Sequence, residues 1–131
     1  LRRLLDTHVA LWAVTLDPRL PREVERLIRD PSVDVYLSAA SLWEVAIKSS
    51  LPGPRAGGMP VSAGDLAHWL ARTDIEVLPV TEAHALAVET LPRLHGDTFD
   101  RLLVAQALCE PMTLITHDKA LAGYGALVKV I

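Results

Sequence analysis

Cysteine is almost absent from this 131-residue chain. The single Cys109 cannot close an intramolecular disulfide, and no pairing of cysteines or closely spaced histidines offers a zinc pattern. Cys109 follows Leu102, Leu103, Val104, Ala105, Ala107 and Leu108, so it reads as a small buried apolar residue. Long apolar runs are missing too. Half of the residues are hydrophobic, but Pro, Gly and charged positions divide them into segments far shorter than the roughly 18 uninterrupted apolar residues of a membrane span, and no membrane role is expected. The opening LRRLLD places two arginines and an acid where a secretory signal would carry its apolar stretch, so a cytoplasmic location is expected. Positive charge is not in excess: 13 Lys and Arg face 16 Asp and Glu, for a net charge of −3. Bulk electrostatics would therefore not hold nucleic acid, and any such affinity has to come from a local basic patch or from bound metal. Internal repeats and low-complexity tracts are lacking, and the length suits one core, so a single domain over 1–131 is expected.

What is present alternates between short β-branched or Leu-rich runs and longer helical stretches, the pattern of an α/β fold with a mainly parallel central sheet flanked by helices. Strands are expected ending at Leu4 and Leu5, over Val33 to Leu37, Glu76 to Val80, Thr113 to Ile115 and Leu127 to Ile131. Helices are expected from Thr7 to about Leu16, Pro21 to Arg29, Ala40 to Ser49, Ala63 to Arg72, Thr81 to Glu89, Phe99 to Cys109, and briefly His117 to Ala122. The stretch LPGPRAGGMPVS over 51–62 reads as a mobile surface loop.

The chemistry lies in where the acids fall. Asp6 directly follows the first strand, Asp118 follows the fourth by two residues, and Asp97 and Asp100 open the helix before that strand. In open parallel sheets the functional crevice lies beyond the carboxyl ends of the strands. Glu44 sits among Ala39, Ala40, Leu42, Trp43, Val45, Ala46 and Ile47, on a helix apolar nearly all round, so its carboxylate needs a partner. Each acid also has a structural reading. Ser41 to Glu44 spells a capping box, Asp97 to Asp100 suits the same role, Asp6 and Asp118 flank helix starts, and Glu44 faces Lys48 at i, i+4. Capping does not explain why helix starts from distant parts of the chain should bring their acids to one end of one sheet. Two carboxylates about 4 Å apart at an effective dielectric near 20 repel by roughly 4 kcal/mol. A hard divalent cation removes that repulsion, and an all-oxygen donor set suits Mg²⁺ or Mn²⁺ over zinc.

The segments LLDTHVALW at 4–12, LSAASLWEVAIK at 37–48, HGDTFDRLLVAQAL at 95–108 and LITHDKAL at 114–121 resemble the four motif regions of PIN-domain ribonucleases, in particular VapC-type toxins of bacterial toxin-antitoxin pairs. The resemblance covers nearly the whole chain, in the family's order and spacing. It implies a single PIN domain with about five parallel strands, and a pocket in which Asp6, Glu44, Asp100 and Asp118 hold Mg²⁺ or Mn²⁺. Asp97 is implied as an auxiliary or alternative ligand, with Thr116 supporting the pocket from its strand. It further implies cleavage of structured RNA such as tRNA or rRNA, a homodimer, and silencing by a cognate antitoxin protein. After Lys48 the chain departs from the family pattern, since SSLPGPRAGG replaces a compact Leu and Lys segment.

Hydrolysis by metal-activated water needs no protein nucleophile, which agrees with the lack of a Ser-His-Asp or Cys-His spacing; ligand and general base are not separable from sequence. Phosphate contacts are expected from basic residues near the acids. Lys48 and Arg101 rank first, on the helices that carry Glu44 and Asp100, followed by His95, His117, Lys119 and Arg55, while His8 reads as structural or exposed. Trp12, Trp43 and Trp69 read as core, with RNA stacking on them the weaker alternative. The helices at 21–29 and 63–72 read as core packing, a dimer face or an antitoxin groove. Two other classes remain: a catalytically silent PIN-like module that binds RNA or protein, and a phosphatase with Asp6 as nucleophile. The latter would usually carry a second acid two residues on, where this chain has His8.

Overall fold

The computed structural model describes residues 1–51 and 59–131. The expected loop at 51–62 falls mostly on residues 52–58, and these, with Arg55, lie outside the described residues. Five strands, β1 (Arg2–Leu5), β2 (Asp34–Ser38), β3 (Glu76–Leu78), β4 (Thr113–Thr116) and β5 (Val128–Val130), form one sheet in the order β3-β2-β1-β4-β5. Every pairing is parallel. The α/β expectation is therefore met.

Helices cover both faces, as a parallel sheet requires. Successive residues of β1 serve opposite cores because a strand alternates its side chains. Leu5 packs with Val9, Leu37, Ile115, Val24, Leu66 and Leu70, beneath α1 (Thr7–Val14), α2 (Arg22–Arg29) and α4 (Ala63–Ala71). Leu4 packs with Leu91, Leu103, Val104 and Leu114, beneath α5 (Glu82–Thr90) and α6 (Thr98–Cys109). Helix α3 (Ala39–Ser49) joins the first core through Val45.

Register fixes the site. Leu5 pairs with Leu37 on one side and Ile115 on the other, so the next residue of each strand, Asp6, Ser38 and Thr116, stands at one level on the carboxyl edge. The Asp6 N–H donates to the Ile115 carbonyl at 2.9 Å, holding Asp6 at the sheet's end. Strand order reverses beside β1, the position at which such sheets open a crevice.

Several local expectations are corrected. Helix α1 stops at Val14, not Leu16, because Leu16 adopts a left-handed conformation at φ 56° and the Asp17 N–H returns to the Trp12 carbonyl. Strand β3 ends at Leu78 because Pro79 has no N–H to continue the ladder. The segment after Asp118 is a 3₁₀ helix, Lys119–Tyr124, that starts two residues later than expected. Ser41 is not the cap of α3. Ser38, at the end of β2, accepts the Ala40 N–H, and the helix begins directly from the strand. Trp43 is not core: it is 58% exposed and meets Phe99 edge to face at 5.2 Å. Cys109 ends α6 exposed, where the helix has run past the core. Trp12 is buried as expected, and Trp69 is half-buried against the first core.

Candidate metal centre and acidic cleft

Asp6 caps α1 with its Oδ1 on the His8 N–H (3.1 Å), while Oδ2 accepts the Thr116 hydroxyl at 2.5 Å. Burial pushes its pKa above the ordinary carboxylate value, and the Thr116 hydroxyl and the His8 N–H offset only part of that. Thr116 is fully buried at the end of β4 and works in both directions: it donates to Asp6 and accepts the Asp118 N–H at 3.1 Å. One threonine thus links the acids that follow β1 and β4.

Glu44 is 3% exposed on α3. Its Oε2 meets Lys48 Nζ at 2.6 Å, and Thr7 Oγ1 lies 2.8 Å from both Glu44 Oε1 and Ser41 Oγ. A hydroxyl carries one proton and a carboxylate only accepts, so Thr7 donates to Glu44 and Ser41 donates to Thr7. The expected Glu44–Lys48 pair is present. Burial is the largest influence on Lys48 and opposes its charge, but Glu44, Asp97 and Asp100 together outweigh it and hold the ammonium above its ordinary pKa.

Asp97 caps α6 by accepting the Asp100 N–H at 3.0 Å, which sets Asp100 on the first turn. Burial, then the charges of Asp6 and Asp97, push Asp100 up to about 7; His95 draws it back slightly and Glu44 adds to the rise. Asp118 caps the 3₁₀ helix through Oδ1 on the Ala120 N–H at 2.9 Å. That bond chiefly, with His95 and His117, holds Asp118 below the usual carboxylate range. The capping roles of Asp6, Asp97 and Asp118 are real, and they coexist with convergence. Three helix starts deliver Asp6, Asp100 and Asp118 to one cleft edge.

His95 was expected only as one of several phosphate contacts, and the fold brings it among the acids instead. Its Nε2 lies 2.8 Å from Asp118 Oδ2 and 3.6 Å from Asp100 Oδ2, and these three atoms sit within 4.8 Å of one another. Proximity alone would make His95 a candidate ligand. Its Nδ1, however, accepts the Asp97 N–H at 2.9 Å, which puts the ring proton of the neutral tautomer on Nε2. That N–H points at Asp118, so His95 serves as a donor to the acids and the donor set for a cation stays oxygen-only. The only advance signal was its position two residues before Asp97.

Asp6, Asp100 and Asp118 line a cleft of about 520 Å³ whose other walls are His8, Trp12, Arg19, His117 and Lys119. Glu44 and Asp97 are not on its lining, but both act on the charge of Asp100. Arg101, expected to reach phosphate, instead lays its guanidinium on the Val88 and Leu91 carbonyls at 3.3 Å each, closing the end of α5. His117 packs edge-on against Trp12 at 4.9 Å. Arg19 was not anticipated at all, since nothing in its sequence position links it to the acids. A larger hollow of about 610 Å³ lies among α1, α2 and α4, lined by Leu16, Leu20, Ile28 and Trp69. Of its acids, Asp17 and Glu25 are paired with Arg19 and Arg29 and only Asp74 is left beside them, so the clustered carboxylates belong to the smaller cleft.

The donor chemistry fits a hard divalent cation. Asp6, Asp100 and Asp118 share one cleft, Glu44 and Asp97 act on the charge of Asp100 from outside its lining, Lys48 is committed to Glu44, and burial first, then these like charges, hold Asp100 up at about 7.

A model of the PIN domain matches residues 3–127. No curated protein matches the sequence. Among solved structures, the chain is similar to one in VapBC2 from Rickettsia felis bound to a promoter DNA fragment, at 17% identity and a TM-score of 0.72, covering 99% of this chain and 98% of the other. It is also similar to a chain in VapBC-1 from nontypeable Haemophilus influenzae, at 17% identity, TM-score 0.63 and coverage of 99% and 98%. A third likeness is to FitAcB from Neisseria gonorrhoeae, at 22% identity, TM-score 0.57 and coverage of 90% and 88%.

Proposed function

Because the chain belongs to the PIN domain family, we propose that it is a Mg²⁺- or Mn²⁺-dependent endoribonuclease that hydrolyses phosphodiester bonds of structured RNA, tRNA or rRNA, as the toxin of a toxin-antitoxin pair. The observation that carries this reading is the convergence of Asp6, Asp100 and Asp118 on one cleft at the carboxyl edge of the sheet, with Asp100 raised to about 7 by burial and neighbouring charge. Structural capping alone would leave no reason to crowd these groups together.

Asp6, Glu44, Asp100 and Asp118 would hold the ion, with Asp97 auxiliary. When bound, a divalent ion supplies charge neutralisation at the phosphodiester and acidifies the attacking water. Thr116 fixes Asp6, His95 and the Ala120 N–H fix both oxygens of Asp118, and Thr7 with Lys48 fixes Glu44. Such fixed acceptors need no reorganisation as charge develops. The silent-module alternative would be signalled by loss of a ligand acid, and every expected acid is present.

Toxin–antitoxin complexes among the structural neighbours support a cognate antitoxin partner and a toxin role. A homodimer and a cytoplasmic setting complete the reading; among the described residues no helix is long and apolar enough to cross a membrane. The test is cleavage of a labelled structured RNA in EDTA, Mg²⁺ and Mn²⁺. Cleavage should need metal and be lost in Asp6→Asn and Asp100→Asn. Metal-independent cleavage surviving in both variants would overturn the reading.

A further inference from the structure

Resting on the ribonuclease reading, we propose that the Arg19 guanidinium, laid over Trp12 in the wall of the acidic cleft, is a stacking platform for an unpaired RNA base beside the scissile phosphodiester. Arg19 and Trp12 line the same cleft as Asp6, Asp100 and Asp118. The Arg19 Cζ stands 5.0 Å from the centroid of the Trp12 ring, and that ring is itself fixed, 7% exposed and met edge-on by His117 at 4.9 Å. Asp17 locks the guanidinium in its plane. Its Oδ1 accepts both the Arg19 backbone N–H at 2.9 Å and Nε at 3.1 Å, and its Oδ2 accepts NH2 at 2.7 Å.

That arrangement decides what Arg19 offers. Its charge is balanced and its Nε/NH2 edge is occupied by Asp17, so it is poorly suited to a bidentate phosphate clamp. What remains is a planar cationic group held 5.0 Å from the indole centroid and reachable from solvent, for the side chain is 69% exposed. Guanidinium planes and aromatic rings are the surfaces on which proteins stack splayed bases. A base within a duplex has no free face to present, so the surface favours a loop or bulge nucleotide next to the cut. Two of the expected phosphate contacts are engaged elsewhere, Lys48 with Glu44 and Arg101 with backbone carbonyls, while His117 and Lys119 stand in the same cleft wall as Arg19.

The experiment compares wild type, Arg19→Ala and Arg19→Lys on an RNA hairpin, measuring cleavage kcat and KM and, in parallel, binding of the fluorescent hairpin. Abasic nucleotides are placed in turn at the positions flanking the cut. Arg19→Ala is expected to lower kcat/KM about tenfold, mainly through KM. Arg19→Lys keeps the charge without the plane and is expected not to restore it. One abasic position should cost wild type a similar factor and cost Arg19→Ala nothing further. Full activity in Arg19→Lys, or losses that multiply at every abasic position, would overturn the platform. Unchanged RNA cleavage in Arg19→Ala would also overturn it, leaving the surface to a protein partner. If wild type neither binds nor cleaves the hairpin with Mg²⁺ or Mn²⁺, the ribonuclease reading itself fails; if it cleaves and only the Arg19 effects are missing, the platform alone fails.

Discussion

Replacing Asp100 by Asn should stabilise the metal-free protein at neutral and alkaline pH while destroying its response to metal. The carboxyl is raised from 3.8 to about 7 in the folded chain. A raised folded-state pKa gives stability that is fully present below the unfolded value and is lost as pH rises through the folded one. The metal-free protein should therefore lose stability between about pH 4 and pH 7 through this residue, and little more above pH 8. At about 1.4 kcal/mol per tenfold change in the proton equilibrium, the shift corresponds to ~4 kcal/mol as an upper bound. Solvent reaches the carboxylate in the cleft, and discounting for that screening leaves about 2 kcal/mol. Asn keeps the shape and removes the charge. Thermal unfolding followed by circular dichroism in EDTA at pH 8 should show the variant melting several degrees higher, about 6–10 °C for a domain of this size. Saturating Mg²⁺ or Mn²⁺ should reverse the order, since an ion at a hundred times its Kd adds ~2.7 kcal/mol to the protein that binds it. A variant no more stable than wild type in EDTA at pH 8, or one equally stabilised by metal, would refute the claim that Asp100 is buried beside like charges at a cost that metal relieves.

Removing the Asp118 donor in His95→Ala should weaken Mg²⁺ and Mn²⁺ binding by about tenfold or more, and His95→Gln, whose amide can still donate, should recover part of it. Metal titration checks this, and loss of binding in both variants would make His95 a ligand and contradict its tautomer assignment. In the second core, Leu114→Ala should cost roughly 2–5 kcal/mol in urea denaturation because Leu114 is fully buried between β1 and α6; a loss below about 1 kcal/mol would contradict the packing.

The strands and helices were legible because each announces itself locally. Leu4 and Leu5 close a short apolar run, and Asp6 and Asp118 mark helix starts just beyond strands, whereas the Pro79 that ends β3 was read through. The edge positions of Asp6 and Asp118 were legible for the same reason: in a parallel sheet, residues that follow strands share an edge. Errors came where a local pattern has two solutions. Helix α3 is apolar nearly all round, so periodicity could not say that Glu44 faces inward and Trp43 outward. Ser38 and Ser41 both precede helical sequence, and only the abrupt passage from β2 into α3 made Ser38 the cap.

The sequence by itself determined the strand-helix alternation, the acids after β1 and β4, and the capping residues that place them, because these depend on neighbours within a few positions. Tertiary structure alone decided which polar atoms meet across the fold. Thr116 joined Asp6 to Asp118, His95 entered the acids as a donor, Arg101 turned to the end of α5, and Arg19 came to rest on Trp12 in the cleft wall. Each of these follows from how helices settle on the sheet, and the direction of a long side chain is set by that packing, which spacing along the chain does not encode.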